Sequence, residues 1–129
     1  MDARDLMLGD WVRLCDSKVP LQMEDVSGTG MFKKWTPDGE YMIPFNYSEI
    51  EPIPLTPEIL EKNGFVTAEK FRTYHYHHGG VYISVGLWGR ITISSEGKRF
   101  GNRMNIDCQY IHELQHALRL CGIDKEIVL

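Results

Sequence analysis

The sequence predicts an α+β fold: a small N-terminal β-barrel-like lobe, a short central helix, and antiparallel strands covered by a C-terminal amphipathic helix. Three observations predict it. Short alternating apolar segments fill the first third of the chain, proline and Asn-Gly signals frame a short helix midway, and helical periodicity precedes the C-terminus. We expect a single domain, 1–129, with room for two lobes, 1–50 and 51–129.

The N-terminal lobe is predicted from short strands separated by turn residues. Alternation places Leu21 and Met23 on one face of the second strand. The segment Thr36-Pro37-Asp38-Gly39 lies between two apolar runs and predicts a hairpin turn, and 27–30 predicts another turn. The strands are expected at 11–15, 20–24, 31–35 and 40–43.

The second half begins with a proline-containing connector, 51–55, which favours neither helix nor sheet. Thr56 and Pro57 predict the start of a short helix, and Asn63-Gly64 predicts its end. The segment 123–129 is expected to return as an edge strand. Further strands are expected at 71–78, 81–87, 90–95 and 99–106, with turns at 79–80 and 96–98.

The C-terminal helix is predicted to begin with Asp107 as N-cap and to end at Cys121 before Gly122. At about 100° per residue, its apolar side chains share one stripe. His112 and His116 lie on the opposite side, so we expect both to face solvent or a further layer. The stripe consists of Tyr110, Ile111, Leu114, Ala117, Leu118 and Cys121.

The same helix contains the segment His112-Glu113-Leu114-Gln115-His116, which matches the H-E-x-x-H zinc signature. Histidines one helical turn apart can share a metal, and the glutamate activates the metal-bound water. A literal interpretation makes the chain a metallopeptidase with a His112, Glu113 and His116 site.

Such a site lacks a recognisable third protein ligand, which a catalytic zinc needs. The extended signature H-E-x-x-H-x-x-G-x-x-H has its third histidine six residues after the second one. That position is Gly122 here. The ligand would have to come from upstream, from His75 or His77, and Arg119 would place a positive charge near the metal. We therefore expect no catalytic residues, no metal site and no cofactor.

Composition restricts the function classes. The hydrophobic content is 43%, which is enough for a core, and the net charge is −4. Non-specific nucleic-acid binding is therefore not expected, although a small local patch is not excluded. Cys15, Cys108 and Cys121 have no motif spacing and indicate reduced cysteines of a cytoplasmic protein. We expect no signal peptide and no membrane span.

Two other clusters have a functional and a structural interpretation. The segment 74–78, with His75, His77 and His78, is either a recognition or metal patch or an exposed aromatic strand, and we favour the strand. The segment 98–103 mixes basic and aromatic residues as RNA-recognition strands do, but a solvated strand explains it as well. Lys33-Lys34-Trp35 is interpreted in the same way, as an ordinary strand.

The chain resembles a group of small uncharacterised proteins of gut bacteria, their phages and mobile elements. The resemblance rests on the Leu6–Val12 opening, the helix after Pro54-Leu55-Thr56, and the His-x-Leu-Gln segment that starts at His112. It implies that Glu113 and His116 are replaceable on a structural helix. It implies no activity.

These observations favour a non-enzymatic accessory or binding module with a protein partner of unknown identity. One alternative is a zinc-dependent hydrolase that uses His112, Glu113 and His116. Another is a nucleic-acid accessory protein whose contacts come from Lys98, Arg99 and Arg103.

Overall fold

The computed structural model describes residues 6–25, 30–68, 73–78, 81–86, 89–95, 103–123 and 125–129. It is a mixed α+β structure with two five-stranded antiparallel sheets. The chain divides into two compact units, Met1–Ile53 and Pro54–Leu129, and each unit contains one sheet. No helix in the described ranges is long and apolar enough to cross a membrane.

The sheet of the first unit has the strand order β4-β3-β2-β1-β5. A 3-10 turn, Tyr47–Glu49, precedes the last strand. The predicted barrel-like lobe is not confirmed, because β4 and β5 are end strands of an open order. The strands are β1 (Trp11–Leu14), β2 (Pro20–Asp25), β3 (Gly30–Thr36), β4 (Gly39–Phe45) and β5 (Ile50–Pro52).

Alternation along these strands produces the core of the first unit. Leu21 and Met23 lie on one face, as the sequence predicted, and both are buried; Val12 pairs directly with Leu21. Burial of side chains this large is worth roughly 1.5–3 kcal/mol each. The buried cluster consists of Leu6, Val12, Leu14, Leu21, Met23, Phe32 and Ile50.

The predicted hairpin at 36–39 is confirmed. Thr36 pairs with Gly39 across a two-residue turn, Pro37-Asp38, and seven consecutive residue pairs join β3 to β4. Gly39 has φ +134°, which lies in the region that favours glycine. At the other end of the sheet, Glu51 on β5 accepts hydrogen bonds from Lys18 and from Arg13 Nε, which hold its pKa below the ordinary value.

The sheet of the second unit has the order β10-β9-β8-β7-β6. Ile83 pairs with Ile93 and Val85 with Ile91, and all four side chains are buried on one face. The predicted turns 79–80 and 96–98 lie outside the described residues. The elements are α1 (Pro57–Lys62), β6 (Val66–Ala68), β7 (Thr73–His78), β8 (Val81–Gly86), β9 (Arg90–Ser95), β10 (Arg103–Asp107) and α2 (Ile111–Leu120).

Helix α1 has the ends that the sequence predicted. The Thr56 hydroxyl accepts a hydrogen bond from the Ile59 backbone N–H at 3.3 Å, and Pro57 occupies the first helical position. Asn63 is the C-cap, and Gly64 follows it with φ +86°.

Helix α2 starts later than predicted. Asp107 is not its N-cap, because this residue ends β10 and pairs with Arg90. The N-cap is Tyr110, which also forms a β-bridge with Pro54. The strand pairing continued past the position that the sequence pattern had assigned to the helix.

The C-terminal segment is not the predicted edge strand: its described residues, 123 and 125–129, have no strand assignment. The Val128 backbone bonds instead to the side chain of Asn63, which accepts from Val128 N at 2.7 Å and donates to Val128 O at 2.8 Å. A side-chain amide therefore replaces the neighbouring strand. Lys125 lies over the Tyr76 ring, 5.0 Å from its centroid, and also holds this segment.

Candidate functional sites

Helix α2 buries most of its apolar stripe, and it also buries the polar side chains of His112 and Gln115. Ile111, Leu114 and Leu118 are buried, as predicted. His112 is only 6% exposed, so the expectation that it faces solvent is wrong, and its burial favours the alternative of a further layer. Its ring stacks on Tyr110 with centroids 6.0 Å apart and meets the half-buried His116 ring edge-on at 5.6 Å.

Glu113, the central residue of the zinc signature, caps the helix. Its Oε1 atom accepts a hydrogen bond from the Gln109 backbone N–H at 3.0 Å and from the Tyr110 backbone N–H at 3.1 Å. A carboxylate in the first turn also stabilises the helix dipole. This geometry gives Glu113 a structural role at the start of α2, because its Oε1 atom accepts two backbone hydrogen bonds.

The upstream histidines lie on β7. Their strand neighbours Tyr74 and Tyr76 alternate with them, so His75 and His77 share the face opposite the buried one. His75 Nδ1 is 2.9 Å from Ser84 Oγ, and the His77 ring stacks on Tyr82 with centroids 4.3 Å apart. Across the described ranges, no three His, Cys, Asp or Glu side chains converge as a metal site would require. The structure thus does not bring His75 or His77 to the α2 pair.

A cleft of about 400 Å³ lies beside the start of α2. Its walls are held by backbone hydrogen bonds from Leu55 N to Gln109 O at 3.0 Å and from Cys108 N to Gly89 O at 2.8 Å. The residues that line it include Pro54, Leu55, Gly86, Gly89, Cys108, Gln109 and Tyr110.

The chemistry of this cleft is limited. Burial, and secondarily the nearby Glu113 charge, raise the pKa of the Cys108 thiol to about 12. Cys108 is therefore protonated at neutral pH, and a thiol, unlike a thiolate, is a poor nucleophile. The other residues named for the lining offer amide, phenol and apolar groups, which suit binding better than catalysis.

Most of the basic segment 98–103 lies outside the residues that the structure describes. Lys98 and Arg99 are not described, and Arg103 is known only by its backbone, which begins β10 opposite Ser94. The nucleic-acid alternative that depends on these residues stays a prediction.

The outer face of the first sheet has a feature that sequence reasoning missed. The rings of Trp11 and Trp35 lie 5.0 Å apart, across β2. Trp35 is 39% exposed, and Met42 beside it is 58% exposed. Lys33 pairs with Met42 across the two strands, and its Nζ lies 5.7 Å from the centre of the Trp35 ring. We call Trp11, Lys33, Trp35 and Met42 the tryptophan patch.

The polar groups of the tryptophan patch are matched within the first unit. Lys33 Nζ lies 3.0 Å from Glu24 Oε1 and 3.8 Å from Glu40 Oε2. The Trp35 indole N–H donates to Glu40 Oε1 at 3.1 Å. The patch therefore presents indole and thioether surface around a cation that already has partners. Trp11 and Trp35 come together through the pairing of β1 with β2 and of β2 with β3. Local sequence patterns do not reveal this pairing, so the patch could not be predicted.

The comparisons with known proteins give no family: no family model, curated protein or solved structure matches the chain. The resemblance to small proteins of gut bacteria and their phages accordingly stays a prediction. A function is therefore inferred from the geometry of α2, the cleft and the tryptophan patch.

Proposed function

We propose that this protein is a non-enzymatic binding module that docks a protein partner on the tryptophan patch. The observation that carries the proposal is the Trp11–Trp35 ring contact, with centroids 5.0 Å apart and the rings tilted by 33°, near the exposed Met42. Tryptophan and methionine are enriched at the centres of protein interfaces, and tryptophan is among the residues that contribute most binding energy.

The polar contacts of the patch favour the same role. Docking removes water from every group that it covers, and an unpaired charge makes this costly. Here Lys33 has Glu24 and Glu40 as partners, and the Trp35 N–H has Glu40. A partner can therefore cover the indole and thioether surface without stranding a donor.

A binding module also fits the residues of the zinc signature better than a hydrolase does. Glu113 accepts two backbone hydrogen bonds at the helix start, and His112 is buried against Tyr110. Both residues thus have structural roles that need no metal. This supports the proposal of a non-enzymatic accessory protein.

We propose the cytoplasm as its location. Cys15, Cys108 and Cys121 are all free thiols. An exposed free thiol such as Cys15 is compatible with a compartment that keeps cysteines reduced.

The proposal is tested by partner capture from the source cells with chemical cross-linking, quantified by mass spectrometry. The double variant Trp35→Ser with Met42→Ser should lose at least about tenfold of a specific partner. The control Val66→Ser removes a 69% exposed apolar side chain from the other sheet and should capture as the wild type does. Equal capture by both variants would show that the patch is not the docking surface.

A second measurement addresses the hydrolase alternative directly. The wild type and Glu113→Gln are incubated with zinc and a mixture of unstructured peptides, and cleavage is followed by mass spectrometry. We expect no cleavage by either protein. Zinc-dependent cleavage that Glu113→Gln abolishes would refute the non-enzymatic role.

A further inference from the structure

We propose that the partner binds as an extended segment that adds to the side of β4 away from β3, where no strand of the described residues pairs, and becomes a sixth strand of the first sheet. This inference rests on the proposed function and specifies the partner's conformation and chemistry. β4 is an end strand of the sheet, is seven residues long and pairs with β3 throughout its length. Its first four residues are all exposed. End strands with open backbone groups are templates for strand addition.

The register shows which backbone groups of β4 face outward. In an antiparallel pair, the N–H and C=O of one residue point to the same side, and successive residues alternate. Pro44 has no N–H and pairs across from Met31, so its nitrogen belongs on the side away from β3. Met42 and Glu40 lie two and four positions before Pro44. Because the direction alternates along a strand, their N–H and C=O groups also point away from β3.

Pro44 sets the length of the added strand. The outward donors are the N–H groups of Glu40 and Met42, and the row ends at Pro44, which contributes only a carbonyl. The geometry fits a partner segment of about five or six residues. A proline in an end strand also discourages open-ended pairing of one sheet with the next.

The side chains of the same residues specify the partner's composition. Glu40 pairs with Trp35 and Met42 with Lys33, so both side chains share the face of the tryptophan patch. Two carboxylates, Glu24 and Glu40, lie near the single positive charge of Lys33. This group of three side chains therefore has a net charge of −1. A basic residue opposite Glu40 and an aliphatic residue two positions away, opposite Met42, complement this surface.

The test uses the full chain and the probe peptide acetyl-Thr-Lys-Thr-Val-Thr-Lys-amide, which presents lysine, valine and lysine on one face in either direction. Titration should give a saturable change in tryptophan fluorescence. Hydrogen exchange at the Met42 amide, followed by NMR, should slow at least about threefold at saturation. A peptide with glutamate in place of lysine should bind at least about tenfold more weakly.

Two variants separate the backbone from the charge. Met42→Pro removes an outward donor without touching the pairing with β3, and should bind the peptide at least about tenfold more weakly than Met42→Ala, which loses the same side chain but keeps the donor. Glu40→Lys should weaken peptide binding similarly and improve binding of the glutamate peptide. Glu58→Lys makes the same charge change at an exposed position of α1 and should leave both affinities unchanged.

The outcomes are distinguishable from those of the proposed function. If Trp35→Ser with Met42→Ser loses the cellular partner while Met42→Pro retains it, the docking surface stands and strand addition is wrong. Unchanged Met42 exchange with saturating peptide also overturns strand addition. Concentration-dependent dimerisation that Met42→Pro abolishes, seen by sedimentation, would identify a second copy of this chain as the occupant and overturn the basic partner.

Discussion

Replacement of Asn63 by alanine should weaken the attachment of the C-terminal segment to α1. Asn63 is only 5% exposed. Its side-chain N–H groups donate to Ile59 O at 2.7 Å and Val128 O at 2.8 Å, and its Oδ1 accepts from Val128 N at 2.7 Å. The alanine variant loses all three hydrogen bonds at once.

The size of the effect follows from these contacts. A buried hydrogen bond contributes roughly 0.5–1.5 kcal/mol net, so three give about 1.5–4.5 kcal/mol. Val128 is 53% exposed, so water can satisfy its backbone groups in the variant, which favours the lower half of that range. We expect Asn63→Ala to lower the free energy of unfolding by about 2–3 kcal/mol.

Denaturant unfolding followed by circular dichroism measures the loss, and hydrogen exchange at the Val128 amide locates it. The matched control is Asn105→Ala on β10, because Asn105 is exposed and accepts one hydrogen bond, from the Thr92 hydroxyl at 2.9 Å. It should cost less than about 1 kcal/mol. Equal losses in the two variants, or unchanged exchange at Val128, would refute the reasoning.

Four further predictions follow from the same structure. Leu114→Ala should cost roughly 2–5 kcal/mol in denaturant unfolding because Leu114 is 1% exposed, whereas His116→Ala should cost less than about 1 kcal/mol; equal costs would contradict this facing of α2. Iodoacetamide at pH 8 should modify Cys108, with its pKa of about 12, at least about tenfold more slowly than the exposed Cys15, as read by peptide mass spectrometry. Glu113→Ala should cost roughly 0.5–2 kcal/mol through the lost cap, and Glu113→Gln less, since an amide oxygen still accepts; an equal cost would argue against capping. With a net charge of −4, fluorescence titration should detect no binding to random duplex DNA at moderate salt, and micromolar, salt-sensitive binding would restore the nucleic-acid alternative.

Features fixed by neighbouring residues could be predicted from the sequence. The 36–39 turn, the Thr56 cap and the Gly64 stop each depend on conformational preferences within a few positions. Strand alternation placed Leu21 and Met23 on one face for the same reason, and the structure buries that face.

Features that depend on distant partners were missed. Asp107 has the chemistry of an N-cap, but Arg90 on β9 holds it in the sheet. The last residues have an apolar strand-like pattern, yet Asn63 supplies the hydrogen bonds that a strand would have made. The contact between the Trp11 and Trp35 rings requires the register of three strands, which no local pattern contains.

The residues that match the zinc signature can also serve to start and pack a helix. A helix that starts at Tyr110 gains a cap from an acidic residue three positions later, and Glu113 occupies that position. Aromatic residues two positions apart at the helix start can stack, and His112 stacks on Tyr110. His116 follows one turn later on the same side. His112 and Glu113 thus pack and cap the start of α2, and without a third ligand a match to H-E-x-x-H does not by itself predict a catalytic metal site.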